Sequence, residues 1–264
     1  MSKFIVSIDT ELHWGFRFAT SQSLIEKRNI LYKNQNKVIN CIESLLNLLN
    51  RYDVPSTWAI LGYLFRDNYE EIVEKIVSSS VEHEIGYHSF SHVRFSECNA
   101  ETAEYELKKS VEIGKDFGIK FNSFVFPENK IGHVDILKKY GFKIYRGPNL
   151  AGKSINKNLP LRTVNFALSK FLAPTVEAQY VNGIWEIPTS ILFHDPRFSH
   201  TLVPRVRLGI QKAIMEKKAI HIFLHPEDIF FEPDILNKME ILLKSVCSLN
   251  NEKIEICTMG NLIN

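Results

Sequence analysis

Short apolar segments alternate with amphipathic segments along most of this chain, and this alternation limits the fold more than any other feature. Residues 4–8 form a mostly apolar run that predicts a buried strand, and apolar residues recur at helical spacing between 36 and 50. The same alternation predicts further strands at 55–61, 84–87, 123–126, 142–145, 185–188, 219–224 and 254–257. Further helices are predicted at 69–78, 99–117, 134–140, 205–217 and 233–249. Strands alternating with helices favour an α/β fold with a parallel sheet, open or closed into a barrel.

Two stretches interrupt this alternation. Residues 12–33 mix aromatic and polar residues, and we expect a long loop over one end of the fold. Residues 147–184 hold glycines, prolines and an apolar cluster, which predicts an insertion with one short helix that packs over the catalytic end. This helix is either an ordinary cap helix buried against the domain or, with residues 160–172, a lid that faces lipid or substrate. No linker or internal repeat is evident, so we predict one domain over residues 1–264.

Composition excludes several classes of protein. The chain has 264 residues with 32 basic and 30 acidic side chains, and it lacks a basic run interleaved with aromatic residues, which argues against a nucleic-acid partner. Its four cysteines show no C-x-x-C spacing, as expected of buried thiols in a reducing compartment. It has no apolar run long enough for a membrane span and no signal-peptide pattern. We therefore expect a cytoplasmic protein.

Reactive side chains fall at the carboxyl ends of the predicted strands. In strand order these are Asp9 and Glu11, His88 and His92, the Pro-Glu-Asn segment at 127–129, Arg146, and His225. The carboxyl ends of parallel strands meet on one face of an α/β fold, where such folds build their sites. The sequence therefore predicts that these residues share one site.

The residue types at this site are those of metal-assisted hydrolysis. His88 and His92 are four residues apart, a spacing that can offer two imidazole nitrogens to one metal. Asp9 and Glu11 are two apart on a strand end and face the same pocket, so that one can ligate while the other takes a proton from water. His225 is then placed to act as general acid for a leaving amine. Ser89 follows the first histidine, which argues against a zinc peptidase of the H-E-x-x-H type.

Three ordered motifs resemble those of the NodB-homology polysaccharide deacetylases, carbohydrate esterase family 4. They are Ile-Asp-Thr-Glu at 8–11, His-Ser-Phe-Ser-His at 88–92 and Leu-His-Pro at 224–226, within a resemblance over about residues 4–230. The resemblance implies a distorted seven-stranded (β/α) barrel, an Asp-His-His metal triad that usually holds zinc, and removal of acetyl groups from sugars. Carried over by position, it makes His88 and His92 metal ligands and His225 the catalytic acid.

The chain departs from the family pattern at two points. The family usually has adjacent aspartates, whereas here Thr10 separates Asp9 from Glu11. We assign Asp9 as base and Glu11 as ligand, with the exchanged roles left open. The family also has an Arg-Pro-Pro element after the fourth strand, and here residues 125–129 contain no arginine. Arg146 is the expected substitute, ahead of Arg197. With these departures the chain resembles the outlying surface-polysaccharide members of the family, and we expect it not to be one of the peptidoglycan or chitin enzymes.

A cytoplasmic location and the resemblance together predict the substrate and the cofactor. We expect Zn²⁺ as the divalent metal and an acetylated amino sugar as the substrate, in nucleotide-linked, lipid-linked or oligosaccharide form, as in O-antigen or capsule (lipopolysaccharide) biosynthesis, with peripheral membrane contact. The predicted substrate contacts are Trp14, Phe90, Trp185 and Pro127. Two alternatives stay open: a deformylase or cyclic ureide or imide hydrolase that uses the same site, and a non-catalytic glycan-binding barrel.

Overall fold

The computed structural model describes residues 1–66, 69–151, 172–195, 199–249 and 253–263. The strands are β1 (Ser2–Thr10), β2 (Thr57–Ile60), β3 (Glu84–Tyr87), β4 (Ser123–Val125), β5 (Ile144–Asn149), β6 (Gln179–Val181), β7 (Ile184–Thr189), β8 (Ile191–Leu192), β9 (Ala219–Leu224) and β10 (Ile254–Ile256). The helices are α1 (Gln22–Lys33), α2 (Gln35–Arg51), α3 (Glu70–Val77), α4 (Ala100–Phe117), α5 (Val134–Lys139), α6 (Leu202–Glu216), α7 (Pro226–Phe231) and α8 (Asp234–Cys247). Short 3-10 turns cover Leu12–Phe16, Gly62–Phe65, Pro127–Asn129, Ser199–Thr201 and Gly260–Ile263.

The described strands form one sheet in the order β6-β7-β5-β4-β3-β2-β1-β9-β8, and β10 also pairs with β1. Apart from the antiparallel pair β6 and β7, the strand pairs are parallel. The predicted α/β class is confirmed. The sheet does not close into a complete barrel. Its described part has ten strands in place of the predicted seven, because the short strands β6 and β8 lie at its two ends and the short strand β10 pairs with β1. Ser190 alone separates β7, which pairs with β5, from β8, which pairs with β9.

Strand β1 lies inside the sheet and presents a different face at each successive residue. Phe4, Val6 and Ile8 pack in the larger apolar core, whereas Ile5 belongs to a second core with residues of β2, β4, β5 and β7. Because side chains alternate along a strand, Asp9 points to the same side as Ile5. The register places Asp9 opposite Ala59 of β2. The first acid is therefore fixed by sheet pairing, two residues before Glu11.

The amphipathic patterns locate most helices correctly. Helix α2 buries Val38, Ile42, Leu45 and Leu49, the apolar stripe that its spacing predicts. Helix α4 begins after Asn99, whose Oδ1 accepts a hydrogen bond from the amide of Thr102 at 2.8 Å. It ends at Gly118, where a left-handed φ of 65° favours glycine.

Other predictions on local structure need correction. Residues 12–33 are not a long loop, because they contain a 3-10 turn and the twelve-residue helix α1. Only Leu31 of α1 is buried, so its apolar stripe is too weak to be read from the sequence. Helix α7 directly after His225 was also missed. The predicted lid helix falls mainly on residues 152–171, which lie outside the described residues. The single domain stays a prediction.

Within the described ranges, no helix combines the length and the apolar character needed to cross a bilayer.

Candidate active site

A cavity of about 390 Å³ opens where the carboxyl ends of β1 and β9 meet neighbouring loops. This volume lies within the range of small-molecule sites. Its lining consists of Asp9, Glu11, Gly15, Phe16, His92, Glu128, Asn129, Asn149, Leu192, Phe223, His225, Glu227 and Asp228. Both predicted acids, one predicted ligand histidine and the predicted catalytic histidine therefore share one cavity.

The Glu11 carboxylate lies between the two histidines of the 88–92 segment. Its Oε2 atom is 2.8 Å from Nε2 of His88 and 2.8 Å from Nε2 of His92. Gly15 makes this position available, since a Cβ atom at residue 15 would lie 2.1 Å from Glu11 Oε1. Burial raises the pKa of Glu11, but the charge of His92 and the hydrogen bonds that both imidazoles donate when protonated outweigh it and hold the pKa well below its usual value.

The tautomer of His88 indicates whether the side chains of Glu11, His88 and His92 fit a metal ion. Nδ1 of His88 donates to the Val125 carbonyl at 2.9 Å, so in the neutral ring Nε2 offers a lone pair towards the Glu11 carboxylate. Two acceptors at hydrogen-bond distance repel each other unless a proton or a cation lies between them. The donor atoms of Glu11, His88 and His92 lie within 4.8 Å of one another, and this carboxylate and two-imidazole set can hold a divalent metal. The residues fit the predicted group.

Asp9 is paired with Arg146 in the protein interior. The guanidinium donates from Nη1 to Oδ1 and from Nη2 to Oδ2, the latter at 2.5 Å, and both residues are buried. Burial raises the pKa of Asp9, but the charge and hydrogen bonds of Arg146, together with the charges of His88 and His225, outweigh it and keep the pKa below its usual value. This is the contact expected of the arginine that orients the base. The catalytic role of each residue stays a prediction.

A buried network of hydrogen bonds also holds the Arg146 guanidinium in place. Nη1 also donates to Ser7 Oγ at 3.3 Å, and Ser7 Oγ lies 2.9 Å from Nε2 of His221. Nδ1 of His221 lies 3.1 Å from the Pro188 carbonyl, which accepts its hydrogen. Burial and the Arg146 charge lower the pKa of His221 to about 3, so the ring is neutral and accepts the serine hydrogen. Both ring nitrogens of His221 therefore have hydrogen-bond partners in the protein interior.

His225 faces both acids and is held from its other side. Its Nε2 atom is 3.6 Å from Asp9 Oδ2 and 4.0 Å from Glu11 Oε1, and its Nδ1 atom is 3.1 Å from Asp228 Oδ2. Burial lowers the pKa of His225, but the hydrogen bond and charge of Asp228, with Glu11 and Asp9, raise it to about 10. The other Asp228 oxygen lies 2.7 Å from Nδ1 of His194. His225 is therefore protonated near neutral pH, as a general acid requires.

Comparison with known proteins relates part of this chain to one family. The sequence profile of the polysaccharide deacetylase family matches residues 38–145. A peptidoglycan deacetylase of Helicobacter pylori (strain ATCC 700392 / 26695) is 33% identical over 105 residues, which are 39% of this chain and 35% of that protein. The matched segment thus spans about a third of the relative's length. Over these residues the chain is similar to the polysaccharide deacetylase family.

Solved structures of similar fold cover nearly the whole chain. A crystal structure from Mycobacterium smegmatis, described as that of a polysaccharide deacetylase, superposes with a TM-score of 0.72 at 15% identity, covering 99% of this chain and 88% of that one. Puue allantoinase gives a TM-score of 0.69 at 11% identity with the same coverage. At these identities the likeness concerns the fold alone. The deacetylase-type (β/α) architecture is confirmed, with a sheet that is not closed.

The predicted aromatic contacts lie away from the cavity lining. Trp14 packs on His13, Tyr63 and Tyr69, and Trp185 lies with its ring centroid 5.1 Å from that of Tyr180. Phe90 and Pro127 are buried and are not among the residues that line the cavity. Their role as substrate contacts stays a prediction. Arg197, the second choice for the orienting arginine, lies outside the described residues.

Sequence reasoning missed several residues that line the cavity. Asn149, Leu192 and Phe223 sit at strand ends, and Asp228 follows His225 by three residues. The contact of Asp228 with His225 could have been predicted, because Pro226 begins helix α7 and a helical turn brings residues three apart together. The others follow from the register of the sheet, which spacing alone does not give.

Glu227 is a buried carboxyl without a hydrogen-bond partner among the described residues. Burial, with the nearby charge of Glu11, raises its pKa well above the ordinary 4.5. The folded protein therefore holds this proton more tightly than the unfolded chain does, and the resulting stabilisation is lost as the pH rises from 4.5 through the folded pKa.

We therefore expect Glu227→Gln to stabilise the metal-free protein at pH 7 and to have little effect at pH 4. Each kcal/mol gained corresponds to a rise in Tm of about 2–4 °C for a chain of this size. Thermal denaturation at both pH values measures the difference, with Glu74→Gln on the exposed face of α3 as the matched control. An equal Tm difference at both pH values would contradict the assigned shift.

Proposed function

We propose that this chain is a metal-dependent hydrolase that removes the N-acetyl or another N-acyl group from an amino sugar. One observation carries the proposal. Two neighbouring carboxylates in one cavity have partners of different kinds, and His225 Nε2 lies 3.6 Å from an oxygen of Asp9 and 4.0 Å from an oxygen of Glu11. Asp9 is bound by a guanidinium, whereas Glu11 faces two imidazole nitrogens. A site that only binds a glycan needs no such separation of an ionised base from a ligand set, so this division supports an enzyme.

The residues supply the proton transfers that amide hydrolysis needs. Water loses a proton as its oxygen attacks the acyl carbon, and Asp9, kept ionised and oriented by Arg146, accepts that proton. The leaving nitrogen must gain a proton as the C–N bond breaks, and the protonated Nε2 of His225 donates it. The products are a carboxylic acid and a free amine. Asp228 keeps the imidazole oriented throughout.

Glu11, His88 and His92 hold the metal in this proposal, and Zn²⁺ is the expected ion. When bound, such an ion polarises the carbonyl and lowers the pKa of water. The Val125 carbonyl fixes the His88 ring so that Nε2 points into the site.

The proposed substrate is an acetylated amino sugar that is an intermediate of surface polysaccharide synthesis. The relative from Helicobacter pylori is described as a peptidoglycan deacetylase, which supports a carbohydrate substrate. The nucleotide-linked, lipid-linked and oligosaccharide forms, the cytoplasmic location and the peripheral membrane contact stay predictions.

The test is acetate release from N-acetylated amino sugars, presented as free oligosaccharide, nucleotide-linked and lipid-linked donors. We expect activity that a chelator removes and that added Zn²⁺ restores. Parallel assays with N-formyl sugars and allantoin examine the alternative amide substrates. Protein that binds no divalent metal, or that releases no acid from any of these compounds, would refute the proposal.

Replacing Asp228 with Asn should slow turnover by acting on His225. We expect a loss of up to about 10²-fold, the lower end of what a positioned general acid contributes. The loss should shrink for an aryl acetate, because its leaving group needs little protonation. Steady-state kinetics on both substrates provide the measurement, with Glu232→Gln at the outer end of the His194 contact as control. An equal loss on both substrates would contradict this role.

A further inference from the structure

The segment that carries both histidines has an unusual backbone. Ser89 and His92 each have a φ of 62°, in the left-handed region that non-glycine residues rarely occupy. Such residues are strained and persist only where the surrounding structure holds them. His92 is itself a proposed ligand, so whatever holds this backbone also sets where its ring points.

Neighbouring main chain holds the carbonyl side of the segment. The amide of Gly62 donates to the Ser89 carbonyl at 2.8 Å, and the amide of Tyr63 donates to the Phe90 carbonyl at 3.1 Å. Residue 62 must be small, because a Cβ there would lie 2.6 Å from the Phe90 Cα. The backbone amides of Phe90 and Ser91 then need hydrogen-bond acceptors from another part of the chain.

Glu106 of α4 satisfies those amides. Its Oε2 atom accepts from the amides of Phe90 and Ser91, each at 2.8 Å, and its Oε1 atom accepts from Ser91 Oγ at 2.6 Å. Glu106 is 2% exposed and lies on the face of α4 that also buries Ala103 and Leu107. A carboxylate on an apolar helix face is costly unless it is hydrogen-bonded, and here each bond goes to the histidine segment.

We infer that Glu106 is a positioning residue for the metal site. It closes the 88–92 segment in the strained conformation that brings the His88 and His92 rings to the same Glu11 oxygen. It touches neither ligand ring and acts through the backbone between them. This inference rests on the proposed metal-dependent function and adds a residue outside the three motifs that carry the family resemblance.

The test measures metal affinity directly. Zn²⁺ is titrated into metal-free protein against a chromogenic chelator, and the visible spectrum of the Co²⁺ form reports coordination geometry. We expect Glu106→Ala to raise the Kd for Zn²⁺ by about 10–100-fold, the usual effect of removing a group that supports a ligand, and to alter the Co²⁺ spectrum. Glu106→Gln should stay near wild type, since the amide oxygen can accept both backbone hydrogens while its NH₂ group donates to Ser91 Oγ.

The control is Ser110→Ala, a buried position one turn along α4 whose hydroxyl bonds only to the local Leu107 carbonyl. It should leave the Kd unchanged. A wild-type Kd and Co²⁺ spectrum in Glu106→Ala, even with a lowered Tm, would overturn the inference. If that variant does not fold, Ser91→Ala removes one of the three bonds and should weaken Zn²⁺ binding several-fold, and an unchanged Kd there would equally overturn it. Wild-type protein that binds neither ion would instead refute the metal site itself, and this inference with it.

Discussion

Glu11→Gln is expected to yield folded protein without stoichiometric divalent metal, whereas Asp9→Asn is expected to keep the metal and lose about 10²–10⁴-fold in turnover, the usual contribution of a general base. The difference follows from the partners of the two acids. Glu11 faces two imidazole nitrogens at 2.8 Å. Asp9 gives both oxygens to Arg146 and has no such contact with His88 or His92.

Elemental analysis of purified protein and steady-state kinetics on the best acyl sugar measure this pair. Glu97→Gln is the control, because Glu97 pairs with Arg94 and Lys130 outside the cavity and should keep both metal and rate. Metal loss in Asp9→Asn with retention in Glu11→Gln would exchange the two roles. Unchanged metal and rate in both variants would mean that neither acid acts as proposed.

Arg146→Met is expected to destabilise the fold by about 3–5 kcal/mol, since breaking a buried ion pair leaves an uncompensated charge. Asp9 and Arg146 are both nearly inaccessible to solvent, at 3% and 1% exposure. Arg146→Lys should also be poor, because a single ammonium group cannot make the two parallel bonds of the guanidinium. Denaturant unfolding of the metal-free protein measures the loss.

The double variant Asp9→Asn with Arg146→Met distinguishes a buried-charge effect from lost packing. It should recover part of the stability, because no unpaired carboxylate remains, although it should have no activity. Arg94→Met is the surface control, and its pairs with Glu97 and Glu128 should contribute at most about 1 kcal/mol. A double variant as unstable as Arg146→Met alone would show that packing of the arginine, and not its charge, dominates.

The sequence located the site because the reactive residues follow strands. Period-two and helical patterns place Asp9, His88, Arg146 and His225 at strand ends, and parallel strands bring those ends together. The pairing of Arg146 with Asp9 could be anticipated in this way. The partnership of Ser7 with His221 could not, because it depends on the register of β1 and β9 and on which faces meet in the interior.

Contacts between helices and loops could not be predicted from the sequence either. Glu106 lies among ordinary charged residues of α4 in the sequence, and only the packing of that helix against the 88–92 segment reveals its bonds. Helix α1 was missed because it buries one residue. The resemblance supplied the three ligand and acid motifs, whereas the physical environment of each group required the structure.

Asp9 and Glu11 lie in parts of the chain that differ in how freely their neighbouring residues can be substituted. Asp9 is locked into the sheet by its pairing with β2, whereas Glu11 precedes the 3-10 turn at Leu12–Phe16 and depends on the missing side chain of Gly15. Substitutions in that turn can therefore alter the metal ligand while the base and its arginine stay in place. The metal ligand and the base can thus be varied separately, and the 3-10 turn is the first target for changing the metal preference of the site.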